Sequence, residues 1–449
     1  MDRTRRRRTV TFGALGNLTE STVLFRAIFR SIGGPDPRHV FDSDSRSDHA
    51  AIKGARIVKA MTILLRRLAL AAVTLWLAMP FSTVSAAAQD DSDTARVFVL
   101  TNKAEGNTIV VLKRAADGML SRVQEVATGG LGSGPIPLPP PIGGPNPLDS
   151  QDALIATPDG RFLLAVNPSS NELSVLALND EGLQLVDKVN SRGVFPVSIS
   201  IHDDLVYVLN SHGDPNINGF TLDASGKLHP VPDSTRNAGI PGSAPAQVAF
   251  SPDGSILIVT ERLANLIDVF RMTDQGLPGD HVQLISNNHT PFGVSFAHRH
   301  IIAITETNER VPRIPVRNGA SVSTYRISSA GALEPVSAAV PDFQSAACWI
   351  RLTPNARFAY VSNTGSGTLS SYAVSPDGSL TLAEEIAADT GGPKSVPIDL
   401  SITHNGKFLY VLSSLIGTVQ GYRIERDGAL THVSSTDGFP ISVQGIVAQ

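Results

Sequence analysis

Glu261, Glu306 and Arg351 are the side chains of this 449-residue chain best suited to chemistry. A carboxylate can activate water or abstract a proton, and a fixed guanidinium can hold the negative charge that develops on a carbonyl oxygen. Each Glu closes an apolar run where comparable runs close on Asn102, Asn167, Asn210, Asn363 or Ser413. Asn and Ser in such places form turns by bonding nearby backbone, so a carboxylate there breaks the pattern. Arg262 follows Glu261, and Glu309-Arg310 comes just after Glu306. Arg351 lies two residues beyond Trp349, while Gln247 and Asp399 occupy the matching place in other runs. An Arg fork suits carboxylates and phosphates, which makes Arg351 and Trp349 a receiver for an anionic or polar ligand. The alternative is an Arg351–Asp399 ion pair that satisfies two charges. Gln247, Trp349, Asp399, His212, Arg262 and Asn363 are the candidate ligand contacts, with Glu261 or Glu306 as base and Arg351 as electrostatic stabiliser.

These residues recur in a phrase repeated seven times: an apolar strand, a polar turn, a second apolar strand, then Gly followed by Leu or Met. The copies end at Leu120, Leu183, Leu228, Leu277, Leu333, Leu380 and Leu430, spaced 63, 45, 49, 56, 47 and 50 residues apart. Self-similarity at this period is the signature of propeller blades, and Pro-Asp-Gly, Asp-Gly and Asn-Gly supply the turns. The expected fold is all-β, a seven-bladed β-propeller over 91–449. Its first copy, from Arg96, lacks a leading strand, and the chain ends with a surplus one, Gln444 to Val447. Joining the two closes the ring and removes an open sheet edge.

In such a ring the first strand of each blade lines the channel, with alternate residues pointing the same way. Aligned on the turns, the channel pairs are Ala153 and Ile155, Ser198 and Ser200, Gln247 and Ala249, Gly293 and Ser295, Trp349 and Arg351, Asp399 and Ser401, Gly445 and Val447. Most are small or apolar, so Gln247, Trp349, Arg351 and Asp399 stand out. The Gly- and Pro-rich segment 129–147, His212 and the loop from Asn308 to Asn318 add to the same mouth, the first as a lid or as a surface excursion.

A formal charge of −4 gives no case for nucleic acid. One cysteine, Cys348, rules out an intramolecular disulfide and reads as a small buried residue. Residues 61–88 read as a secretory signal, with two arginines, an apolar stretch from Leu68 to Met79 and small residues ending at Ala88. That stretch is shorter than the roughly 20 residues of a membrane span. Residues 1–60 are unpatterned and read as a disordered or mis-annotated extension. The protein is thus expected to be periplasmic or secreted, a monomer with no stable membrane span after cleavage. No nucleophile elbow, P-loop, H-E-x-x-H or cysteine pair occurs, and no cofactor or metal is expected. His298-Arg299-His300 has metal-like spacing but falls in a turn on the opposite face. Asn and Glu oxygens from several blades would suit calcium, although turns explain that column better.

The strings TPDGRFLLAVN, SPDGSILIVTERLANLIDVF and THNGKFLYVLSS resemble the seven-bladed lactonase family, which includes bacterial 6-phosphogluconolactonases and the fungal carboxymuconate-lactonising enzyme. The likeness runs from about Arg96 to Gln449 and implies hydrolysis or isomerisation of a small lactone, sugar-acid or muconate-type carboxylate. In that family a Pro-Arg-His run opens an inner strand and Asn-Glu follows the second strand of the same blade. The matching openings here read Ala244-Pro245-Ala246-Gln247 and Ala346-Ala347-Cys348-Trp349. The carboxylate stays at Glu261, and Arg351 lies two residues deeper than the family's Arg. A non-catalytic exported propeller that binds a small ligand, a glycan or a protein at its mouth is the alternative.

Overall fold

The repeated Gly-Leu ending is a docking point for the neighbouring blade. In the computed structural model Tyr207, Tyr360 and Tyr410, each on the second strand of a blade, donate their hydroxyls to the carbonyls of Gly276, Gly428 and Gly118 in the next blade, at 2.8, 2.7 and 2.8 Å. Those glycines have φ of +72°, +89° and +92°, a conformation that disfavours any side chain. A Cβ at Gly118 would also lie 2.5 Å from the ring of Phe408. The phrase therefore encodes blade-to-blade contact as well as a turn.

The structure describes residues 95–137, 148–298, 300–311, 314–328 and 331–449. The leader over 61–88, residues 1–60, residues 138–147 and Arg299 lie outside the described residues. Seven antiparallel sheets of four principal strands surround an axis. Their innermost strands are Ile446–Ala448, Leu154–Ala156, Val194–His202, Pro245–Phe250, Pro291–His298, Ala347–Leu352 and Pro397–Ile402, for blades 1 to 7. Blade 1 is closed as the sequence implies: Val97, Val99 and their neighbours on Arg96–Leu100 pair with Ile446 to Ala448.

Turns between first and second strands are fixed by a hydroxyl. Thr157, Thr353 and Thr403 each accept the amide proton of a Phe five residues on and bond a side-chain oxygen two residues on; Ser251 does the same to Ile256 and Asp253. We call this the lower face. The interblade connections and the loops between second and third strands form the upper face. Apolar side chains fill the spaces between blades, with Tyr207, Tyr325, Tyr360 and Tyr410 fully buried. No helix among the described residues is long and apolar enough to cross a membrane.

Candidate functional site

The upper half of the channel is filled by the chain itself. After the Gly- and Pro-rich segment, residues 148–152 turn across the axis, with Asp149 and Asp152 at φ of +50° and +64°. Trp349 Nε1 and Gln444 Nε2 both donate to the Ser150 carbonyl, at 2.7 and 2.8 Å. The Ser150 hydroxyl donates to Val197 O at 2.8 Å. Gln151 uses its whole amide on the exposed edges of two blades: Nε2 donates to Val294 O and Ile350 O, and Oε1 accepts from Ile350 N at 3.0 Å. Gly293 makes room for it, since a Cβ there would stand 2.6 Å from Gln151 Oε1.

The expected channel column does a related job. An innermost strand has no partner on its axial edge, so its amide groups need acceptors. Ser198 accepts from Val248 N, Ser200 from Phe250 N, Ser295 from Leu352 N and Ser401 from Ala448 N. Gln247 accepts from Val294 N, and Arg351 Nε donates to Leu400 O at 3.1 Å. Each side chain thus stitches its blade to the following one. The Arg351 guanidinium also pairs with Asp152, whose other oxygen accepts from Gln247 Nε2 at 2.6 Å. Asp399, 1% exposed, accepts from Leu400 N, and burial pushes its carboxyl up to about 8 against the pull of Arg351. Gln247, Trp349 and Arg351 converge on the segment 148–152, and Asp399 lies near enough to feel the charges of Arg351 and Asp152.

Glu261 and Glu306 do not join them; both are enclosed within their own blades. Glu306 accepts from Ser286 and Ser323 hydroxyls and Asn288 N on Oε1, at 2.9, 2.8 and 3.0 Å, and from Ser321 on Oε2 at 2.6 Å. Glu261 is hydrogen-bonded to Asp268, its Oε1 has no partner, and burial together with the Asp268 charge pushes it up to about 7. Asn363 bonds Thr368 and Ser370 on its own blade. His212 is exposed on the upper rim, its ring tilted at 52° against Phe195 with centroids 4.1 Å apart. Cys348 is buried, and burial raises its thiol well above the ordinary range.

Arg262 is the expected contact that reaches a chemically promising place. Its guanidinium lies 3.1 Å from Asp149 and 3.7 Å from Glu309, with the three side chains 6%, 11% and 9% exposed. Glu309 is delivered by a hairpin, Glu309–Val311 with Ile314–Pro315, inside the loop from Asn308 to Asn318. Phe292 lies under the guanidinium, 5.7 Å from its centroid. Two carboxylates, Asp149 of the plug itself and Glu309 of the hairpin, thus flank a buried cation on the upper side of the plug. Sequence alignment missed Asp149 because the blade phrase begins only after it; the signal was Gln151, standing where other blades open with Pro196, Pro245, Pro291 and Pro397.

No curated protein matches the chain. Among solved structures, it resembles a protein of Bacteroides uniformis provisionally named a 6-phosphogluconolactonase, at 21% identity and a TM-score of 0.60 over 78% of this chain and 99% of that one. It also resembles a periplasmic gluconolactonase of Pseudomonas aeruginosa, at 18% identity and a TM-score of 0.58 over 78% and 98%. At such identities the likeness shows the fold. The family model described as lactonase, 7-bladed beta-propeller matches residues 105–237 and 318–444, more than half of the chain, and the protein belongs to that lactonase family.

Proposed function

We propose that this is an exported lactonase that hydrolyses a small lactone of the sugar-acid or muconate type at its upper mouth. What carries the reading is the Asp149–Arg262–Glu309 cluster in a lactonase-family propeller. Arg262 would stabilise the oxyanion formed as water adds to the lactone carbonyl, while Asp149 or Glu309 takes the water's proton. Collapse then breaks the ring C–O bond, the proton passes to the departing alkoxide, and the product is a hydroxy acid. This reading moves the base from Glu261 and Glu306, whose carboxyls are enclosed, and the cation from Arg351, which sits beneath the plug. The leader over 61–88 supports export.

A panel of sugar-acid and muconate-type lactones tests this. Arg262→Gln and Glu309→Gln should each slow turnover by about a hundredfold or more, while Glu261→Gln leaves it near that of the parent. Loss of activity in Glu261→Gln alone would reject the assignment. One observation favours a second reading: the plug closes the channel, and both carboxylates already engage Arg262. Absence of turnover on every lactone by the parent protein, together with a ligand that still protects this rim from hydrogen exchange, would favour a non-catalytic binding propeller.

A further inference from the structure

Solvent exposure along the innermost strands splits the channel in two. At the level of Gln247, Trp349 and Asp399 the side chains are at most 1% exposed, and Ser150 and Gln151 are fully buried. One step lower, Ile155, Ser200, Ser295, Arg351 and Val447 are all partly exposed. The same change occurs in blades 1, 2, 3, 5 and 6, so the lower half is a cup entered from the lower face, with the plug as its floor. The Arg351–Asp152 pair forms that floor, at 22% and 18% exposure.

The cup presents donors. Ser200, Ser295 and Ser401 spend their oxygens on backbone amides of the next blade, and each hydroxyl keeps its proton to give. Arg351 commits Nε to Leu400 O and Nη2 to Asp152, which leaves Nη1 without a protein acceptor. The Asp152 carboxylate is itself occupied by Arg351 and Gln247 Nε2, so it does not compete for these donors. Because the ion pair sums to zero charge, the floor suits a singly charged acceptor rather than a phosphate. Ile155 and Val447 give the wall between the donors an apolar character.

We propose that this lower cup is a binding site for a small monocarboxylate, held by Arg351 Nη1 and the hydroxyls of Ser200, Ser295 and Ser401. It lies on the opposite side of the plug from the Asp149–Arg262–Glu309 cluster and stands or falls without it. Methyl labelling of the isoleucines and valines, with acetate as the probe, tests it. Acetate should shift the Ile155 and Val447 methyl signals saturably, while Ile240, exposed on the upper face, stays still. Ser295→Ala should weaken the apparent affinity several-fold, and Arg351→Gln should abolish the shifts. If Arg351→Gln fails to fold, the Ser295→Ala, Ser401→Ala double variant takes its place, with a larger loss expected than for Ser295→Ala. Non-saturable shifts, shifts confined to Ile240, or an affinity unchanged in the serine variants would overturn the proposal.

Discussion

Blades 4 and 5 put a glutamate at the same place and surround it in opposite ways. Glu306 ends a second strand facing Ser321 and Ser323 on the third, with Ser286 and Asn288 from the interblade connection, and receives four hydrogen bonds. Glu261 faces Leu266 and Asp268 instead, so its neighbour is another acceptor and one of its oxygens is left without a partner. Asp268 is in turn held by Gln283 at 2.9 Å and approached by His281 at 3.8 Å, and burial raises its own carboxyl too. The donors that surround Glu306, Ser321 and Ser323 on the third strand with Ser286 and Asn288 on the interblade connection, are what Glu261 lacks beside Asp268. The first arrangement is the cheap way to bury a charge; the second ties blade stability to pH.

The comparison breaks most severely at Glu306. Glu306→Gln keeps the shape and, with its amide oxygen at the Oε1 place, still accepts from Ser286, Ser323 and Asn288 N, but its NH2 group replaces the oxygen that accepts from Ser321. A loss of about 3 kcal/mol in urea unfolding is expected, since bonds to a carboxylate are exchanged for weaker ones to an amide oxygen and Ser321 loses its acceptor. Unfolding of Glu306→Gln like the parent's would show that these four hydrogen bonds contribute little to stability.

At Glu261 the expected effect is smaller and has a sign set by pH. Its folded carboxyl is pushed up to about 7 from an ordinary 4.5, so the folded state holds more protons between those values. The stabilisation is complete below pH 4.5 and is lost as the pH rises through 7, by up to about 3 kcal/mol. Asp342 and Asp399, which burial pushes up to about 6 and about 8, act in the same direction, so the parent alone does not isolate the effect. Glu261→Gln does: its amide can donate to Asp268 at any pH. This variant should be the more stable protein at pH 8 by about 1–2 kcal/mol and should show a flatter pH dependence. Parallel stability curves for parent and variant between pH 5 and 8 would contradict the shared proton.

Much of this was legible in the chain. The seven endings gave the blade count because each marks a turn, three of them reached by a tyrosine of the neighbouring blade, and the surplus Gln444–Val447 segment gave the closure. The column of Asn and Glu was visible as well, including the two carboxylates that break it. What periodicity could not give is direction. A strand pattern states which residues share a face, but Gln247 and Ser295 turn their polar ends onto the next blade's open edge, a demand that belongs to the assembled ring. Nor could it place residues 148–152, which carry no strand period and are positioned by edges from blades 3, 5 and 6 at once.

The finest test converts one blade into the other. Asp268→Ser places on the third strand of blade 4 the hydroxyl that Ser323 supplies in blade 5, removing the second carboxyl and giving Glu261 a donor. Glu261 should then ionise lower, and stability at pH 8 should rise by about 1 kcal/mol, less than in Glu261→Gln because a buried anion remains with fewer donors than Glu306 has. Gln283, which donates to Asp268 in the parent, should lose that bond and offset part of the gain. A carbonyl 13C titration of labelled glutamate separates the outcomes: a Glu261 signal titrating below its parent value supports the conversion. A signal still titrating near 7 would mean that burial alone, not Asp268, holds the proton there.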